Sequence, residues 1–138
     1  MERILVAFDG SPPARRALEH AARLVGDGEL VLLHVLPQIV PGDYAPVDVD
    51  PGEVAAEQAE LQQVCADLVA RGISARALPI AGDAFADAAD AIVAEAERCG
   101  AEAIAIGTRG HGALGRLALG SVSTRVAHTA NCDVLIVR

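Results

Sequence analysis

Apolar residues gather along this chain in short runs at 4–8, 30–36, 103–106 and 134–137, largely branched and without the polar alternation of a half-buried strand. Runs of that kind belong to strands covered on both faces, as in a parallel sheet. Between them the period changes. Ala14, Ala17, Leu18, Ala21 and Val25 recur at spacings of three and four, with Arg15, Arg16, Glu19 and Arg23 off that face, which predicts an amphipathic helix. Ser11 followed by Pro12 and Pro13 marks its start. Further helices are expected over about 53–69 and 84–98, the second on the stripe Phe85, Ala89, Ile92 and Ala96, with Gly72 and Gly100 where C-terminal stops belong. The run at 74–80 differs, because Ala75, Arg76 and Ala77 alternate and Pro79 follows, which fits an edge strand.

Strictly alternating strands and helices predict an α/β three-layer sandwich, with a five-stranded parallel sheet and four helices on its two sides. With the third strand at one edge the order is 3-2-1-4-5, and the chain reverses direction between strands one and four. Ligands bind outside the carboxyl ends of the strands at such a reversal. The rule selects Asp9, Gly10 and Ser11 after the first strand and the residues from Gly107 onward after the fourth. The last strand, Val134, Leu135, Ile136 and Val137, forms the other edge and is wholly apolar. A bare apolar edge invites pairing, which predicts a homodimer through this strand.

Composition narrows the chemistry. The 138 residues read as a single domain, 1–138, and the aromatic inventory is Phe8, Phe85 and Tyr44, so much of the apolar content is alanine suited to close helix-on-sheet packing. A net charge of −8 argues against a nucleic-acid partner, whose phosphates require a basic face. All eleven basic residues are arginine, which excludes a Schiff-base lysine and the lysine of a Walker A loop. Cys65, Cys99 and Cys132 share no C-x-x-C spacing and read as small core residues rather than a metal or disulfide framework. The N-terminus lacks the pattern of a signal peptide, and no stretch approaches the ~20 apolar residues of a membrane span, so a soluble cytoplasmic protein without a membrane partner is expected.

One segment departs from the overall charge. From residue 103 to 132 there is no Asp or Glu, while Arg109, Arg116 and Arg125 and five glycines are concentrated there. Gly107, Gly110 and Gly120 let backbone turn tightly and approach an anion, and Ser121, Val122 and Ser123 open a helix whose N–H groups and positive dipole end face it. An embedded G-x-G-x-x-G at Gly110, Gly112 and Gly115 does not follow the first strand, so it is not a dinucleotide fingerprint.

The spacing Gly107-x2-Gly110-x9-Gly120-Ser121 resembles the ATP-binding motif of the universal stress protein family, ATP-binding branch. The resemblance runs the length of the chain, from VAFDGS through LLHV to VLIVR. It implies ATP, with Mg2+, lying across the strand-order reversal: Ala7, Phe8 and Asp9 on the adenosine side, Val35 against adenine, and Gly107, Arg109, Gly110, Gly120, Ser121, Val122 and Ser123 at the phosphates. It also implies a homodimer through the last strand. No catalytic residue or metal-ligand set is assigned. Asp9 could instead cap the first helix, but its position at a strand end favours ligand contact. His34 is read as a sheet residue with a backbone partner. Asp83, Asp87 and Asp90 are read as complements to a helix dipole rather than metal ligands. The loop 37–52 is expected to be a partner surface or an adenine-side flap. The resulting function is an ATP-binding stress-response regulator whose nucleotide state modulates an unidentified protein partner. The alternatives are a slow ATPase or phosphotransferase, and an interaction module that does not use the nucleotide.

Overall fold

A computed structural model describes residues 1–34, 51–78, 88–108 and 120–138. The elements are β1 (Arg3–Ala7), α1 (Pro12–Leu24), β2 (Glu29–Leu33), α2 (Pro51–Ala70), β3 (Ser74–Leu78), α3 (Ala88–Cys99), β4 (Ala103–Gly107), α4 (Ser121–Thr129) and β5 (Asp133–Val137). All strand pairs are parallel and the order is β3-β2-β1-β4-β5, as the patterning predicts.

Each central strand serves two cores because successive side chains point to opposite faces. Ile4, Val6, Leu30, Leu32, Ala103 and Ala105 join Ala14, Ala17, Leu18 and Ala21 of α1 and Leu61, Cys65 and Leu68 of α2 on one face. Leu5, Ala7, Val31, Leu33, Ile104 and Ile106 meet Ala89, Ile92 and Ala96 of α3 and Val126 of α4 on the other. Fully burying a Leu or Ile contributes roughly 1.5–3 kcal/mol, so Leu5, Leu30, Leu32 and Ile104, each 0% exposed, anchor the sheet. The face of β4 toward α1 is made of Ala103, Ala105 and then Gly107, and the facing stripe of α1 is also alanine. Small side chains on both sides draw this helix close to the sheet. At Gly107 a β-carbon would stand 2.8 Å from the Ala14 nitrogen and the Pro13 carbonyl carbon, closer than atoms tolerate.

At the amino ends of the strands the connections are tight turns at 25–28, 71–73, 100–102 and 130–132. Gly72 and Gly100 adopt φ of 83° and 67°, the left-handed conformation that ends α2 and α3 where expected. Glu29 bridges Arg3 and Arg76 at 2.9 and 3.0 Å, tying β1, β2 and the edge strand β3 together at this end. On the outer surface, Arg71 pairs with Glu19 at 2.8 Å, linking α1 to the turn after α2, and holds the Glu19 carboxyl below its usual range. Only Cys65 is a core cysteine; Cys99 and Cys132 are half-buried, a departure from the reading of all three as core residues. Among the described residues no helix is long and apolar enough to cross a membrane.

Candidate functional site

The carboxyl ends of β1 and β4 lie side by side, with Ala7 opposite Ile106, where the strand order reverses. Two helices begin here. β1 leads through Phe8, Asp9 and Gly10 to Ser11, the N-cap of α1. Asp9 Oδ1 accepts the Ser11 N–H at 2.9 Å, across Gly10 at a φ of 80°, so this carboxylate shapes the turn it stands in. The Ser11 hydroxyl accepts the Ala14 N–H at 3.4 Å and the Ser11 carbonyl accepts that of Arg15 at 3.0 Å. Pro12 and Pro13 have no N–H to offer.

α4 begins differently. Its N-cap is Gly120, at φ −60° and ψ 153°, which makes no side-chain cap. The first helical bond runs from Thr124 N–H to Gly120 C=O at 3.0 Å, so the N–H groups of Ser121, Val122 and Ser123 have no acceptor within the helix. This opening is pinned to β4 by Thr108. Its N–H donates to Val137 C=O at 2.8 Å, and its carbonyl accepts the Gly120 N–H at 2.6 Å and the Ser123 hydroxyl at 3.4 Å. The Ser123 hydroxyl also donates to Gly120 C=O at 3.0 Å, so this side chain, 2% exposed, fastens the turn. A β-carbon at Gly120 would lie 2.6 Å from the Thr108 oxygen. Gly107 and Gly120 are therefore demanded by backbone approaching backbone, whatever else uses the space.

Of the residues singled out by sequence, Ala7, Phe8, Asp9, Gly107, Gly120, Ser121, Val122 and Ser123 converge on this end of the sheet; Val35, Arg109 and Gly110 lie outside the described residues, as do Asp83 and Asp87. Phe8 is 3% exposed and part of the α1–α2 core, and its N–H is bonded to Leu33 C=O at 2.8 Å. Asp90 in the first turn of α3 pairs with Arg125 of α4 at 3.2 Å, so this arginine is engaged on the outer face of the two helices. Ser121 is exposed.

His34 has the backbone partner expected of it, whereas Glu57 and Glu60, which α2 delivers across the chain, escape sequence reasoning. His34 Nδ1 lies 2.9 Å from Phe8 C=O; a carbonyl only accepts, so Nδ1 carries a hydrogen. Its Nε2 stands 2.8 Å from Glu57 Oε2 of α2 without hydrogen-bond alignment, a contact that becomes an ion pair when Nε2 is also protonated. One turn on, Glu60 accepts from Arg15 at 2.5 Å, and the guanidinium lies 5.5 Å over the Phe8 ring while its Nε donates to Gly10 C=O at 3.2 Å. The Glu57 and Glu60 spacing, i and i+3 on one helix face, was the available signal. Among the described residues no group of three His, Cys, Asp or Glu side chains is arranged to hold a metal ion.

The chain matches the profile of the universal stress protein family over residues 1–138. It belongs to that family. A universal stress protein of Thermus aquaticus is 35% identical over 144 residues, covering 98% of this chain and 97% of the relative. Among solved structures, the universal stress protein from Archaeoglobus fulgidus in complex with dAMP is 25% identical, with a TM-score of 0.69 over 100% of this chain and 98% of that one. A universal stress protein in complex with cAMP is 27% identical, with a TM-score of 0.68 over 99% and 96% of the two chains. Nucleotides are thus bound by some universal stress proteins of this architecture.

Proposed function

We propose that this universal stress protein, a single domain, is an ATP-binding regulator. The observation that carries the reading is the uncapped start of α4, three N–H groups without helical acceptors at the reversal of strand order, where an anion is stabilised by the helix dipole. The dAMP and cAMP complexes of its relatives support an adenine nucleotide as the class of ligand. In this reading the phosphates sit on the N–H groups of Ser121, Val122 and Ser123, joined by Arg109 and Gly110. Asp9 and Ala7 flank the ribose and Val35 the adenine. Phe8 contributes as the buried floor beneath Arg15. Mg2+ travels on the phosphates, as is usual for this cation.

The function is one of holding rather than turning over. Lysine is absent from the whole sequence, and the described residues at the α4 opening are backbone N–H groups and hydroxyls rather than a general base. The protein acts as a homodimer paired through β5, whose Val134, Leu135 and Ile136 are only partly buried at the sheet edge. The nucleotide state then alters a surface read by a protein partner in the cytoplasm. Equilibrium titration with ATP and magnesium tests this, with saturable binding at one site per chain expected. Absence of binding at millimolar nucleotide overturns the assignment.

A further inference from the structure

One contact at the carboxyl end of the sheet is short of a proton. His34 follows β2, and its Nδ1 donates to Phe8 C=O at 2.9 Å, so Nε2 carries a lone pair whenever the ring is neutral. Glu57 Oε2 of α2 stands 2.8 Å from that Nε2. Both atoms are buried, and neither has a hydrogen-bond partner among the described residues. An ionised carboxylate only accepts, so a neutral ring leaves two acceptors facing each other, desolvated and unsatisfied. One proton taken from water onto Nε2 turns the contact into an attraction between opposite charges. The Glu57 side chain, 42% exposed, has the freedom to align with it.

The surrounding charges leave this pair to itself. Glu60, one turn further along α2, is taken by Arg15 of α1, and Asp9 after β1 accepts the Ser11 N–H. On the other flank β3 sets Leu78 beside Leu33. Among the described residues Glu57 pairs with no arginine, so its counter-charge is the imidazolium. The ring also joins three segments: it stands at the exit of β2, holds the Phe8 carbonyl one residue before Asp9, and faces α2.

We propose that His34 and Glu57 are positioning residues for the nucleotide, a clasp that fastens α2 to the ends of β1 and β2 on taking up one proton and releases it when the proton is lost. The proposal rests on the reading of the site given above, in which Asp9 flanks the ribose and Val35 the adenine. His34 precedes Val35 in the chain and is bonded to the residue before Asp9, so it sets the spacing of the segments that carry both. The closed form holds one proton more than the open form. A nucleotide that selects the closed form therefore brings a proton with it, and its affinity rises as pH falls through the range in which imidazoles titrate.

The test compares the full-length chain with Glu57→Gln, whose amide N–H donates to the Nε2 lone pair of a neutral His34 and so keeps the clasp shut without a proton. ATP with magnesium is titrated calorimetrically into each between pH 6 and pH 8, in buffers of differing ionisation enthalpy. The wild-type chain should lose about tenfold in affinity over this range, the effect of one linked proton, while Glu57→Gln stays level. At the upper end the wild-type chain should take up more protons on binding than the variant, a difference in which the protons of the nucleotide itself cancel. The nucleotide-free chain gives a second readout. Imidazole nitrogen spectra should show Nδ1 of His34 protonated throughout, and Nε2 gaining its proton as amide exchange around residue 57 slows relative to the intrinsic rate. Parallel affinity profiles in the two proteins, or exchange around residue 57 that ignores the protonation of His34, would each overturn the proposal. If neither protein binds ATP, the nucleotide reading falls, and the nucleotide-free spectra alone uphold or overturn the clasp.

Discussion

α1 and α4 both begin at the carboxyl end of the sheet, a few residues from neighbouring strands, and their first turns are built in opposite ways. The start of α1 is closed: two prolines occupy its first positions, the Ser11 hydroxyl takes the Ala14 N–H, and Gly107 receives the turn against β4. The start of α4 is open, with a glycine cap, three N–H groups lacking helical acceptors, and a Ser123 hydroxyl turned inward to hold the turn in place. The same element end can thus be used up in folding or left open. The choice is made by two or three residues rather than by the fold.

The contrast can be attacked at three strengths. Gly107→Ala places a β-carbon 2.8 Å from Pro13 and Ala14 and should cost about 1–3 kcal/mol of stability, read as a lower urea midpoint; an unchanged midpoint would mean α1 is not seated this tightly. Ser121→Pro should make α4 start as α1 does. Proline is accommodated at the first helical position, and the Gly120 dihedrals of −60° and 153° are those a residue before proline adopts, so folding should be preserved. The loss of one charge-assisted bond, about 1.5 kcal/mol, should weaken ATP binding about tenfold by calorimetric titration, whereas undiminished affinity would remove the α4 opening from the site. Ser11→Ala should cost about 1 kcal/mol in thermal or urea unfolding through loss of the cap, with no effect expected if the hydroxyl at α1 were idle.

Periodicity reveals the frame here because each strand is short, apolar and covered on both faces, and α1 has a single alanine stripe that the structure buries completely, from Ala14 at 2% to Val25 at 1% exposure. The start of α1 was readable from Ser11-Pro12-Pro13 because capping is local chemistry. The positions of Gly107 and Gly120 were equally readable, but their reason was not. The sequence suggests clearance for a ligand, whereas the atoms that exclude a side chain are Pro13, Ala14 and Thr108, brought near only by the fold. His34 with Glu57 and Arg15 with Glu60 were hidden for the same reason, since each pair joins residues at least 23 positions apart. The cysteines divide along that line too. Burial of Cys65 follows from the α2 stripe, while the partial burial of Cys99 and Cys132 against the other core depends on how α3 and β5 are laid beside β4.

Of the tight turns at 25–28, 71–73, 100–102 and 130–132, the first has the least slack. At 25–28 a β-carbon on Gly28 would collide with the Met1 and Glu2 carbonyl oxygens at 2.4 Å, so even a one-atom addition meets the first strand's approach. An engineer grafting a peptide epitope or a reporter into this scaffold should therefore leave the turn at 25–28 at its present length.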